Sequence, residues 1–128
     1  MPGKNDSFEY AVIRVVPKVE REEFLNVGVV LFCKEQKFLQ MKWDLNEERL
    51  KAFCKKTDVD MLREYLNAFE RISQGKNDGG EIAKLPIAER FRWLTATRST
   101  VVQTSKVHPG LCDDAGKKLE TLFWQLVV

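Results

Sequence analysis

Residues 9–16 (EYAVIRVV) alternate in a β-branched run, with Tyr10, Val12, Arg14 and Val16 on one face and Ala11, Ile13 and Val15 on the other, which predicts an interior strand. Pro17 removes a ladder donor and ends it, and the charged KVEREEF that follows reads as a loop or short helical turn. Residues 25–34 (LNVGVVLFCK) are apolar on both faces and too short for a typical helix, so they predict a central strand. Within it, Gly28 suggests a bulge or a close backbone approach, and Asn26 must find partners if buried. Leu39, Met41 and Trp43 then alternate with polar positions across 37–43, predicting a half-exposed strand joined to its predecessor by a tight turn at Glu35 and Gln36.

The period changes after Trp43. Asp44 with Glu47 resembles a capping arrangement ahead of a short helix carrying Leu50, Phe53 and Cys54. From Asp58, Val59, Leu62, Leu66, Phe69 and Ile72 recur every three or four residues, the stripe of an amphipathic helix that packs on a sheet. Residues 73–81 (SQGKNDGGE) read as a mobile surface loop, and Pro86 opens a helix with Ile87, Phe91 and Leu94 on one side. Residues 99–104 (STVVQT) predict a fourth strand, and His108-Pro109-Gly110 a turn. Asp113 or Asp114 caps a final helix whose core face is Leu119, Leu122, Phe123 and Leu126. The expectation is an α+β fold: a small, largely antiparallel or mixed four-stranded sheet covered by three to four helices, in one domain over 1–128 with 1–7 flexible.

Composition narrows the class. At 128 residues and net charge +2, no bulk electrostatic partner is indicated, and no folded nucleic-acid-binding motif occurs. No apolar run reaches the ~20 residues of a membrane span, and MPGKNDSFEY lacks a secretory apolar stretch, so a cytoplasmic protein is expected. Cys33, Cys54 and Cys112 are odd in number and far apart, which predicts free thiols without a disulfide framework, structural metal or cofactor. His108, Cys112 and Asp113 form the best local set of metal ligands, and their spacing alone is weak.

Charge is uneven along the chain. Between Lys84 and His108 five basic residues (Lys84, Arg90, Arg92, Arg98, Lys106) face one acid, Glu89. The simpler reading is a solvated face with snorkelling stems; the sharper is an anion site in which the Arg98 fork holds a carboxylate or phosphate. Arg14 adds to the second reading, because a guanidinium between apolar strand neighbours needs an acceptor. Arg14, Arg98, Gln103, Ser105 and His108 are the candidate binding residues. The rival is a small phosphate-handling hydrolase with His108 as base and Ser105 or Thr104 as nucleophile, which sequence separation alone does not establish. Paired carboxylates at Glu22-Glu23, Glu47-Glu48 and Asp113-Asp114 are explained by loops and helix dipoles, and phosphate-loop, dinucleotide, zinc-protease and hydrolase motifs are missing.

Two segments go beyond pattern: YAVIRVVPKVEREEFLNVGVVLF (10–32) and RFRWLTATRSTVVQTSKVHPGL (90–111), followed by Asp113-Asp114 and LETLFWQLV. Together they resemble the bacterial family called domain of unknown function 3037, to which no activity is assigned. The family usually has a hydroxyl residue at Cys112 and a proline at Ala115, which weakens any role for Cys112. Its members are encoded beside HipA-like kinases, so the resemblance implies an accessory role with a protein partner. The combined expectation is a non-enzymatic module that recognises a small anionic ligand or a protein partner.

Overall fold

A computed structural model describes residues 5–128. Three long antiparallel strands, β1 (Asp6–Val15), β2 (Leu25–Cys33) and β3 (Phe38–Trp43), lie side by side in the order β3-β2-β1. Two short strands, β4 (Val102–Thr104) and β5 (His108–Cys112), share the remaining edge of β1, again antiparallel. The helices are α1 (Glu47–Phe53), α2 (Val59–Gln74), α3 (Ile87–Leu94) and α4 (Ala115–Leu126). The architecture is therefore the expected antiparallel α+β arrangement, with five strands where four were anticipated. Among the described residues no helix is long and apolar enough to cross a membrane.

The sheet is covered on both faces, which explains why β2 reads as apolar throughout. On one face Ala11, Ile13 and Val15 pack with Leu50 of α1, Leu62, Leu66 and Phe69 of α2, and Phe91 and Leu94 of α3. On the other, Phe8, Val29, Leu31 and Cys33 pack with Leu119, Leu122 and Phe123 of α4. A bulge interrupts the pairing of β1 with β2: Ile13 pairs with Gly28 but Arg14 with Asn26, leaving Val27 as the extra residue. It inverts the alternation, so Val27 joins Val30 and Phe32 on the α2 face. Gly28 also meets the expected close approach, since a Cβ there would stand 2.8 Å from the Lys42 carbonyl oxygen and from Trp43 Cβ.

Several boundaries differ from the sequence reading for identifiable reasons. Asn46, not Asp44, caps α1, its side chain accepting from the Arg49 N–H at 3.0 Å. Asp58 caps α2, and of the two acids offered for the last helix it is Asp114 that caps α4. α2 runs through Ser73 and Gln74 before Gly75 closes it at φ 67°, and single helical turns follow at Asn77–Gly79 and Ile82–Lys84. Asp6 and Ser7 do not trail as a flexible tail but pair with Cys112 and Leu111, while residues 1–4 of that expected tail lie outside the described residues.

The fifth strand is the segment expected to turn. Pro109 lies on the outermost strand opposite Glu9, where a missing N–H interrupts no ladder bond to a further strand. Gly110 is required by packing: a Cβ there would stand 2.5 Å from the Phe8 ring. Between β4 and β5 the ladder is bridged by Ser105. Its backbone N–H donates to the Val12 carbonyl at 2.8 Å, and its Oγ accepts the Val12 N–H at 2.9 Å. Removing that hydroxyl leaves a buried amide without a partner, so Ser105→Ala is expected to cost about 1–3 kcal/mol in urea unfolding. A change below the measurement error would show that water takes over the bond.

Candidate functional site

Arg14 and Gln103 face each other across β1 and β4, on the sheet face that carries α4. α4 packs over β2 and β3, so this end of the face opens into a pocket of about 330 Å³. Arg14, Gln103, Arg98 and Ser99 line it, with Val16, Glu22 and Phe24 from the chain that joins β1 to β2. The bulge beside Arg14 increases local twist at this point.

Among the described residues Arg14 does not obtain the acceptor expected for it. Its Cζ lies 4.0 Å from the centroid of the Phe24 ring, and its Nε is buried without a hydrogen-bond partner. The stacked ring supplies cation–π attraction but no lone pair for the N–H groups. Burial lowers the guanidinium pKa. Glu22, exposed and held at φ 59°, lines the same pocket without an ion pair to Arg14. Gln103 spends its amide N–H on the Thr100 carbonyl at 2.8 Å.

Arg98 lines the pocket, but its guanidinium turns back onto α3. Nη1 donates to the carbonyls of Leu94 at 3.0 Å and Ala96 at 3.3 Å, and Nη2 donates to that of Trp93. Its Cζ stacks 4.4 Å from the Trp93 ring centroid and 5.0 Å from that of Phe69. The residue thus satisfies the orphan carbonyls of a helix C-terminus, where a cation also meets the negative end of the dipole. This is the brace role, not the free fork proposed from sequence. Arg90 is partly used in the same way, Nη1 donating to the Leu85 carbonyl at 3.0 Å, while its Nε, like that of Arg14, is buried without a partner among the described residues, though Arg90 does not line the Arg14 pocket.

Ser105 and His108 lie elsewhere on the edge. His108 sits opposite Tyr10, its ring 5.2 Å from the tyrosine ring and about 13 Å along the strand from Arg14. The Ser105 Oγ bonds Val12 and the Lys106 carbonyl, leaving nothing directed at His108. Thr104 pairs with Ile13 and so faces the α2 side, opposite to His108. Neither hydroxyl therefore forms a nucleophile–base pair with the imidazole. All three cysteines are free, and burial, then the neighbouring Cys33, pushes the Cys112 thiol pKa up. Among the described residues no group of three His, Cys, Asp or Glu side chains is placed to hold a metal ion.

The segments that build this end of the sheet, β1 with its return to β2 and the stretch from α3 through β5, are those that carried the resemblance. Residues 10–127 match the family described as Protein of unknown function (DUF3037). The chain belongs to that family. The DUF3037 match takes in Arg14, Phe24, Arg98, Gln103 and all of α4, and leaves the first four residues of β1 outside it. Neither the curated proteins nor the solved structures contain a match to the chain.

Of the five candidate residues, Arg14, Arg98 and Gln103 meet in one pocket, whereas Ser105 and His108 do not join them. Sequence reasoning missed Phe24 and Glu22. Phe24 stands in a charged stretch where no period marks it, and only its position ahead of an apolar strand hints at a packing role.

Proposed function

We propose that this protein is a binding module that holds a carboxylate or phosphate group in the Arg14 pocket. The observation that carries this reading is the buried Arg14 Nε without an acceptor in a cavity open to a ligand. A partly desolvated guanidinium lacking a counter-charge is costly, and an anion that accepts from it recovers that cost. The anionic group can belong to a free ion or to an acidic or phosphorylated side chain of a partner, such as the HipA-like kinase that the family resemblance implies. Glu22 is the built-in competitor, the acid nearest to hand in the lining.

Thermal unfolding with phosphate or acetate at constant ionic strength tests this reading. At about ten times Kd, mass action raises Tm by roughly 4–7 °C for a domain of this size. Arg14→Met, which keeps the stem against Phe24, is expected to abolish the rise, and Glu22→Gln to enlarge it. A parent whose Tm is indifferent to both anions, or an Arg14→Met protein that responds like the parent, would overturn the assignment.

A further inference from the structure

A second cavity, of about 420 Å³, lies where the β1–β2 connection meets the end of α1. It shares no lining residue with the Arg14 pocket. Lys18 and Arg21 enter from the connection, and Lys55 and Lys56 from the turn after α1. The lone acid in the lining, Glu23, is already paired with the Nε of Arg21. None of Lys18, Lys55 and Lys56 has a counter-ion among the described residues. Four cations and one acid thus surround a single concavity in a chain whose whole net charge is +2. Phe53, 37% exposed, and Pro17 give it an apolar wall.

The volume falls in the range of small-molecule sites, roughly 300–1,000 Å³, and focused positive charge in a concave surface attracts polyvalent anions. The half-buried Cys54 thiol lies in the lining and senses this environment. The Lys56 backbone N–H and the Thr57 side chain, with the charges of Lys18 and Lys56, lower its pKa against the opposing effect of burial. A bare orthophosphate would engage only part of such a lining, whereas a diphosphate spans several ammonium groups and leaves Phe53 for any organic portion. We infer that this cavity binds a diphosphate-bearing ligand, with the phosphates among Lys18, Lys55 and Lys56 and an apolar or planar portion against Phe53. The assignment is independent of the Arg14 reading.

Cys54 supplies the readout, because Cys33 and Cys112 are buried and serve as unlabelled controls. Alkylation of the full chain by iodoacetamide is followed by mass spectrometry at constant ionic strength, with and without pyrophosphate or ADP. Pyrophosphate at about ten times Kd is expected to slow Cys54 labelling by roughly tenfold, as one-site occupancy with an unreactive complex requires. ADP binding more tightly than pyrophosphate identifies a nucleotide-like source, and equal affinities identify the diphosphate alone. Lys55→Gln with Lys56→Gln should return the ratio of rates with and without ligand to unity, whatever it does to the intrinsic rate. Arg14→Met should leave the ratio unchanged, which separates this cavity from the other pocket. A ratio of one in the parent, equal protection by sodium chloride, or full protection surviving in the double lysine variant would each overturn the inference. A parallel rise in Tm with pyrophosphate, absent from the lysine variant, is the second readout.

Discussion

A chain ended at Gly116 is expected to remain unfolded in buffer, with the circular dichroism and chemical-shift dispersion of a denatured protein. The cut removes Leu119, Leu122 and Phe123, the helix half of one of the two cores, and uncovers Phe8, Val29 and Leu31 on the sheet. It also removes the Leu126 carbonyl that accepts from Asn26 at 3.0 Å and the Val127 carbonyl that accepts from Arg49 at 2.8 Å. Losing a single buried large side chain costs about 2–5 kcal/mol, and a domain has roughly 5–15 kcal/mol in all. Three such losses, about 6–15 kcal/mol together, match the whole of that stability, and the two lost carbonyl acceptors add to them. A cooperative melt near the parent temperature would mean instead that the α2 face alone sustains the fold and that α4 is detachable.

Arg98→Ala is expected to be the most damaging substitution at a residue that is not fully buried, costing about 3 kcal/mol. Each of its charge-assisted bonds to carbonyl oxygens is worth about 1.5–3 kcal/mol when broken, moderated here by water reaching the freed groups. Stacking on Trp93 and Phe69 is lost as well. Arg98→Lys keeps the charge but cannot fork across three carbonyls, so it should recover less than half of the loss. Chemical denaturation monitored through the tryptophans measures both. Should Arg98→Ala unfold within about 0.5 kcal/mol of the parent, as surface substitutions commonly do, the brace is not a stabilising element.

The two arginines differ in how much of their role is written in the order of residues. A guanidinium in mid-strand is visible as a polar letter among apolar ones, so Arg14 stands out from the alternation alone. That its ring neighbour is Phe24, and that no acceptor comes, depends on how the β1–β2 connection folds back, which no period records. Arg98 is legible as a cation but not as a cap, because its acceptors are backbone carbonyls that every sequence possesses. The α2 stripe and the α4 face are readable because they present five and four buried apolar residues, respectively, at helical spacing. β5 is hidden because Pro and Gly signal turns on average, whereas here the proline occupies an outer strand and the glycine yields space to Phe8.

That outer strand bears on how these molecules behave when crowded together. In an antiparallel ladder, opposed residues alternate between exchanging two bonds and exchanging none. Pro109 cannot donate, so its pair with Glu9 is of the second kind, and so is the pair of Leu111 with Ser7 two residues on. The groups directed away from the sheet along β5 therefore belong to Pro109 and Leu111, and only Leu111 brings an N–H. An extended chain arriving at this border finds a single donor along β5 and then the interruption at Ser105, too little to template a further strand. The β5 stretch of this border is therefore a poor template for edge-to-edge pairing, and concentrated protein is expected to resist association there although Leu111 itself is 60% exposed.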